Sequence, residues 1–384
     1  DDAPKPRELS KSIELVSNAY GLPLEPNRIV GTLSAGERQR VEIIRCLLQN
    51  PELLIMDEPT SVLTPQEVEI LFKTLRQLKE EGTSILYISH KLEEIRALCD
   101  EATVLRHGEK VATCVPSNTT AREMAEMMVG ASFANPVKSS RVIGKTLLSV
   151  NALSSTSLDQ FGTSLKSINI DLKAGEILGI GGVAGNGQDE LLSALSGELK
   201  TNANAILFNG EPIGELGPIK RRQMGLLSAP EERLGHAAAP AMSLKENTII
   251  TAARRMALLN NGFVNWSAAT HYAEEVIDDF DVRTPGTHTP AGSLSGGNLQ
   301  KFVVGREVLQ KPEVLVINQP TWGVDAAAAA SIRQKLLDLA DNGAGVIVIS
   351  QDLDELLEIS DHFCALNEGA LSEIVPTAGL GMDQ

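Results

Sequence analysis

Short apolar runs alternate with amphipathic stretches along the chain. "ELLIMD" (52–57) and "TSILYIS" (83–89) have the length and composition of strands. Between them, "TPQEVEILFKTLRQLKEEG" (64–82) places apolar residues at helical spacing and stops at Gly82. A strand–helix–strand unit of this kind predicts an α/β fold with a mostly parallel sheet. Further along, "GEILGIGG" (175–182) reads as a strand running into a glycine loop. "GQDELLSALSG" (187–197) reads as a helix closed by Gly197. "PEVLVIN" (312–318) and "AGVIVIS" (344–350) are strands again. The stretch 131–144, "ASFANPVKSSRVIG", is polar and without period, and reads as a linker.

The later strands repeat the earlier ones. "GTLSAGERQRVEIIRCLLQNPELLIMDEPT" begins at Gly31 and "GSLSGGNLQKFVVGREVLQKPEVLVINQPT" at Gly292, an offset of 261 (292 − 31) with no gap. Leu33 meets Leu294, Gly36 meets Gly297, Arg45 meets Arg306 and Thr60 meets Thr321. The register still holds at Gly82 with Gly343, Ser89 with Ser350 and Asp100 with Asp361. Chance does not keep a register that long, so the chain contains two related domains. The counterpart of the glycine loop after Gly181 would fall before residue 1. The first copy, 1–130, is therefore expected to be only the C-terminal portion of its domain, with 145–384 a complete second copy.

Four segments carry phosphate chemistry. "GVAGNGQD", Gly182–Asp189, follows the pattern of a loop that cradles phosphates with backbone N–H groups at a helix start. Gly182, Gly185, Asn186 and Gly187 suit it. Gln188 stands where a Lys would reach the β/γ-phosphates, and Asp189 where a Mg²⁺-binding hydroxyl belongs. A bare glycine turn is the alternative. The second segment is the acidic strand end. Asp57 is placed to hold Mg²⁺ and Glu58 to polarise a water that attacks the γ-phosphate. A helix-capping pair before Pro59 is the alternative. The second copy has Asn318 and Gln319 instead; an amide keeps an oxygen but loses the charge a hard cation wants. The third is His90, at the end of the next strand, suited to sense a γ-phosphate; a lone His is more often structural. Its counterpart is Gln351. The fourth is "LSAGE" (Leu33, Ser34, Ala35, Gly36, Glu37) and "LSGGN", which begins at Leu294 and continues through Ser295, Gly296, Gly297 and Asn298. Ser34 and Ser295 suit helix N-caps, and the helix start is an anion site. An ordinary capped helix is the alternative.

Composition narrows the partners. A formal net charge of −16 argues against nucleic acid, because phosphate backbones repel an acidic surface. The four cysteines, Cys46, Cys99, Cys114 and Cys364, lack metal-ligand spacing and read as buried thiols, which fits a cytosolic compartment. No apolar run approaches the roughly 20 residues needed to span a bilayer. The opening "DDAPKPRELS" does not resemble a secretory signal.

The LSGGQ-like signature, the D-E-P-T strand and the switch His together resemble an ATP-binding cassette (ABC) ATPase. Within that family, "GVAGNGQ", "PEER" (230–233) and "SVLTPQE" (61–67) resemble the tandem-cassette ATP subunits of bacterial importers for simple sugars and nucleosides. "NQPTWGVD" and "SQDLDEL" tilt towards the nucleoside branch. The resemblance implies P-loop-type cassettes with a helical subdomain, and ATP and Mg²⁺ as ligands. It implies integral membrane permease subunits and a periplasmic or lipid-anchored substrate-binding protein as partners, at the cytoplasmic face of the membrane. It also implies head-to-tail cassettes, each ATP lying between the phosphate loop of one and the signature of the other. Asp57, Glu58 and His90 would then work with "LSGGN", while Asn318, Gln319 and Gln351 mark a site relieved of hydrolysis. Without the first phosphate loop, this chain is expected to hydrolyse ATP poorly by itself. Phe161 is a candidate for stacking on adenine, with a core aromatic as the alternative. The stretch Leu227–Ile250 is the expected permease groove. A soluble ABC protein of translation or DNA maintenance, and a non-catalytic scaffold, are the rival readings. The first is disfavoured by the acidic balance and the lack of long charged linkers or paired zinc-binding cysteines.

Overall fold

The computed structural model describes residues 5–33, 35–60, 63, 65–89, 91–106, 108–129, 138, 141–157 and 162–378. The chain divides into two compact units, Asp1–Phe133 and Ala134–Gln384.

The first unit runs α1 (Pro6–Ala19), α2 (Ala35–Leu47), β1 (Leu53–Asp57), α3 (Pro65–Glu80), β2 (Ser84–Ile88), α4 (Leu92–Leu98), β3 (Ala102–Arg106), β4 (Glu109–Cys114) and α5 (Ala121–Val129). β1 and β2 pair in parallel, and β3 and β4 form an antiparallel hairpin. One face of β1, Leu54 and Met56, packs against Ile43, Ile44 and Leu47 of α2 and Leu71, Leu75 and Leu78 of α3. The other face is uncovered: Leu53 and Ile55 are 55% and 59% exposed, with Leu86 and Ile88 of β2 beside them at 51% and 46%.

The second unit runs β5 (Thr146–Ser155), β6 (Leu165–Lys173), β7 (Ile177–Gly181), α6 (Gln188–Ser196), β8 (Ile206–Phe208), β9 (Glu211–Pro212), α7 (Pro218–Met224), β10 (Leu226–Ala229), α8 (Leu244–Ala252), β11 (Leu259–Asn260), β12 (Phe263–Val264), α9 (Trp266–Asp279) and α10 (Gly296–Val308). It continues with β13 (Val314–Asn318), α11 (Ala326–Asp341), β14 (Gly345–Ser350), α12 (Leu353–Ile359), β15 (His362–Asn367), β16 (Ala370–Leu371) and β17 (Val375–Pro376). The main sheet has the order β10-β13-β14-β7-β15-β16, with β17 paired to β15. Its first five strands are parallel. A four-stranded antiparallel sheet, β6-β5-β8-β9, stands apart from it.

Both faces of the parallel sheet are covered, which is why its strands read as unbroken apolar runs. Val314, Val316, Ile347 and Ile349 face a core built with β5, β6, β8 and α6. Leu315, Ile317, Val346 and Val348 face a second core built with the helices α8 to α12.

The offset of 261 holds element by element. α2 maps onto α10, β1 onto β13, α3 onto α11, β2 onto the first five residues of β14 and α4 onto α12. Strand register agrees too: Leu53 pairs with Ser84, and Val314 with Gly345.

Most of the stretch read as a linker lies outside the described residues. Lys138 and Arg141 are described, and both are tied to the second unit. Lys138 donates to the Ser360 carbonyl at 2.6 Å, and Arg141 lies 3.3 Å from Asp341 and 3.6 Å from Asp361. Among the described residues no helix is long and apolar enough to cross a membrane.

Candidate functional site

Just beyond each strand end the backbone turns through a left-handed residue that is not glycine: Glu58 at φ 46° and Gln319 at φ 52°. Such a conformation costs a side-chain-bearing residue about 1–2 kcal/mol. Each N–H donates to the neighbouring strand near its end, Glu58 to the Ile88 carbonyl at 2.9 Å and Gln319 to the Ile349 carbonyl at 2.8 Å. The two copies thus share one strained turn at the carboxyl edge of the parallel strands, the edge where α/β sheets bind ligands.

In the second unit an open cleft of about 820 Å³ lies at that edge, with Gly185, Gln188, Gln319, Gln351, Arg233 and Trp322 in its wall. The glycine loop joins β7 to α6. At Gly182 (φ 153°) a Cβ would stand 2.5 Å from the Leu366 carbonyl, and Gly187 caps α6 at φ 111°, so both positions need glycine. Gln188 is 8% exposed and spends its amide on the loop itself. Its Nε2 donates to the Val183 carbonyl and its Oε1 accepts from the Asn186 N–H, both at 2.9 Å. Asn186 accepts from the Glu368 N–H at 2.7 Å, and the Thr163 hydroxyl donates to the Gly185 carbonyl at 2.7 Å. The loop is therefore held by its own amides, and Gln188 is not extended as a Lys reaching for phosphates would be.

Carboxylates gather beside it. Asp189 keeps an edge in solvent but leans on the wall, where the Asn318 amide donates to it at 3.2 Å. Partial burial and Glu190 push its carboxyl up, while His236 and Asn318 oppose the shift. Burial and Asp189 likewise raise Glu231. Asn318 is 1% exposed, and its Oδ1 has no hydrogen-bond partner among the described residues. Gln319 accepts weakly from the Ser350 hydroxyl and the Gln351 N–H, both at 3.5 Å. The Arg233 guanidinium lies 4.8 Å from the centre of the Trp322 ring and donates to the Trp322 carbonyl. It also packs on Gly296, where a Cβ would come within 2.7 Å of it.

The structure thus brings Gly185, Gln188, Asp189, Gln319, Gln351 and the signature residue Gly296 to one cleft. Ser295 occupies the N-cap position of α10 but does not cap the backbone. Its hydroxyl accepts from the Asn298 side chain at 2.9 Å, and Asn298 accepts from the Arg283 N–H at 2.9 Å. Gly297 packs on the chain after the strand end, a Cβ there meeting the Gly323 carbonyl at 3.0 Å. In the first unit Asp57 is exposed, Glu58 half-buried and Leu33 buried. Gly36 is where a Cβ would meet the Glu67 carboxylate at 2.7 Å. The charge of Glu37 is met by Arg28 at 2.6 Å. Ser34, His90 and Phe161 lie outside the described residues, as does the side chain of Ala35. Glu231, Arg233, His236 and Trp322 were not assigned to the cleft from sequence. In the sequence Glu231 and Arg233 stood out only as part of "PEER", Trp322 as part of "NQPTWGVD", and His236 only as part of the expected permease groove 227–250.

The two strand ends differ in what they fit. Asp57 is a hard oxygen donor of the kind Mg²⁺ takes and would hold the ion, with Glu58 beside it to act on a water. Among the described residues no cluster of three or more His, Cys, Asp or Glu could hold a metal ion by itself. The second strand end does not fit a metal-bound nucleotide in that way. Its amides are neutral, and Asp189, Glu231 and Glu232 line the cleft. Of the basic side chains there, Arg233 is stacked on Trp322 and His236 is 2.9 Å from Glu198.

The profile of the ABC transporter family matches residues 5–61 and 165–322. The nucleoside import ATP-binding protein NupA of Lactococcus lactis is 36% identical over 367 residues, covering 95% of this chain and 72% of that protein. The galactose/methyl galactoside import ATP-binding protein MglA of Escherichia coli is 37% identical over 376 residues, covering 96% and 72%. The glucose import ATP-binding protein TsgD13 of Haloferax volcanii is 37% identical over 364 residues, covering 94% and 66%. Among solved structures, RNase-L Inhibitor matches with a TM-score of 0.65 at 21% identity over 97% of this chain and 71% of that one. An ATP-binding cassette in a post-hydrolysis state, bound to ADP and Pi, matches with a TM-score of 0.52 at 17% identity, over 61% of this chain and all of that one. The structural matches bear on the fold alone.

Proposed function

The chain belongs to the ABC transporter family, and from that premise we propose that it is the ATP-hydrolysing subunit of an importer for a simple sugar or nucleoside. Its partners are integral membrane permease subunits, at the cytoplasmic face of the membrane, and a periplasmic or lipid-anchored substrate-binding protein. The import functions named for NupA, MglA and TsgD13 support this reading. One strand end hydrolyses and the other is degenerate. Asp57 holds Mg²⁺, Glu58 polarises the attacking water and His90 meets the γ-phosphate. Asn318, Gln319 and Gln351 replace all three. Leu227–Ile250, which leads from β10 through the cleft wall into α8, is the docking stretch for the permease.

One observation carries the division of labour. Glu58 and Gln319 share the left-handed turn and the same amide bond to the neighbouring strand, yet only Glu58 has a charge. Backbone geometry was kept while the chemistry was removed. The test is ATP turnover in the assembled importer. Glu58→Gln should lower kcat by about 100-fold or more, the usual worth of a general base. Gln319→Glu should leave kcat within about twofold, since nothing made only in the transition state is lost. The opposite pattern overturns the proposal.

A further inference from the structure

One carboxylate recurs at the same register in both copies and ties the turn after the strand end to the neighbouring strand. It is Glu94 in the first unit and Glu355 in the second, again 261 apart (355 − 94). Thr60 is fully buried, two residues after Glu58, and donates its hydroxyl to Glu94 at 2.7 Å. Tyr87 of β2 donates to the same carboxylate at 2.7 Å. The Lys91 ammonium lies 3.5 Å from it and also donates to the Thr60 carbonyl at 3.3 Å. Glu94 therefore fastens the turn that carries Glu58 onto the strand that leads to residue 90.

In the second unit Glu355 is 1% exposed and accepts from the Ser350 hydroxyl at 2.8 Å. Ser350 in turn reaches Gln319. Thr321, the counterpart of Thr60, steadies the Glu355 charge, but the second oxygen of that carboxyl, Oε1, is buried with no hydrogen-bond partner among the described residues. Two partners have changed, however. Val348 stands for Tyr87 and Asp352 for Lys91. A hydroxyl donor is gone, and an ammonium has become a carboxylate. The charged groups that face Glu355 are Asp352, on its own turn, and Arg333 of α11, which is paired with Glu358 of α12 at 2.9 Å. Burial above all, with Asp352 adding to it, pushes the Glu355 carboxyl up to about 7, against the pull of Thr321, Ser350 and Arg333.

We propose that Glu94 and Glu355 are positioning residues for the two strand ends, and that the second is a latch worked by a proton. With Glu355 neutral, the turn from Gln319 to Trp322 packs tightly on the end of β14. With Glu355 charged, a buried carboxylate beside Asp352 loosens that turn and the wall of the cleft. The meaning for transport rests on reading the second strand end as degenerate. The measurement does not, because it involves no nucleotide.

Trp322 is the natural reporter: it follows Thr321 directly, and its N–H donates to the Gln319 carbonyl at 3.2 Å. The chain has two tryptophans, so Trp266→Phe in the whole protein isolates its signal. In that background the Trp322 emission should titrate with a midpoint near pH 7. Glu355→Gln should abolish the titration and hold the low-pH spectrum at all pH. Asp352→Asn keeps the helix cap, removes the repelling charge and should lower the midpoint by roughly half a unit or more. It carries the test if Glu355→Gln does not fold. His236→Asn, which removes the histidine of the cleft wall and its contact with Glu198, should leave the midpoint in place. A flat wild-type profile, a midpoint unmoved in both Glu355→Gln and Asp352→Asn, or a titration lost in His236→Asn overturns the proposal.

Discussion

Glu355 is a buried carboxyl whose nearest repelling charge, Asp352, sits on the same turn, and this has a consequence for stability. Its value in the folded protein is raised from 4.5 to about 7, so between those limits the folded state holds the proton more tightly than the unfolded chain. Stability from this group is complete below about pH 4.5 and declines as the pH rises to about 7, by about 3 kcal/mol in all. Glu355→Gln, which cannot ionise, should remove that slope from urea denaturation of the second unit and leave the protein more stable than wild type at pH 8. A wild-type stability that climbs from pH 5 to 7 in step with this group contradicts the assignment. At this level the sequence was informative about chemistry and silent about environment. Asp57, Glu58, Asn318 and Gln319 could be read as charged and uncharged versions of one site, because residue identity and offset suffice. That Gln188 folds back on Val183 and Asn186 could not be read, because it depends on the path of the loop.

Strands β1 and β13 show how one pattern meets two surroundings. Both are five-residue apolar strands ending in the first residue of the pair that defines the site, and their pairing with β2 and β14 agrees residue for residue. Yet Leu86 is 51% exposed while its counterpart Ile347 is fully buried. Ile347→Ala should therefore cost the second unit about 2–5 kcal/mol, the transfer and cavity terms together. Leu86→Ala should cost under about 1 kcal/mol, as at other surface positions. Denaturant midpoints of the two variants decide it, and equal losses would show that the face of β1 and β2 is covered in solution. The strands and helices themselves were legible, since a period of two or 3.6 survives in any context. Which face would be covered was not, because β1 and β13 carry the same apolar signal.

Across the molecule, the clearest product of long-range packing is the charged group inside the second unit. Arg306 is 1% exposed, and donates to Glu307 at 2.9 Å and to the Ala237 and Asn247 carbonyls at 2.8 and 3.1 Å. Arg222 closes the group on Glu307 at 2.6 Å. This joins α10, whose first residues line the cleft, to the stretch 237–247 in the proposed docking region. Arg306→Met should destabilise the second unit by about 3–5 kcal/mol, because it strips a buried carboxylate of one partner. Its counterpart Arg45, on the surface with Glu42, has a side chain that is 65% exposed, and Arg45→Met should be nearly neutral. A matching loss at both positions, measured by thermal denaturation, would show that the two arginines do the same work. The sequence was enough to establish two related α/β domains, their common register and the loss of charge from the second strand end. Periodicity, offset and residue identity are local properties of a chain. The cleft, the self-bonded glycine loop, the stacking of Arg233 on Trp322 and the raised carboxyl of Glu355 had to await the folded molecule. Each depends on which distant segments come to lie within a few ångströms of one another, and on how much water they displace.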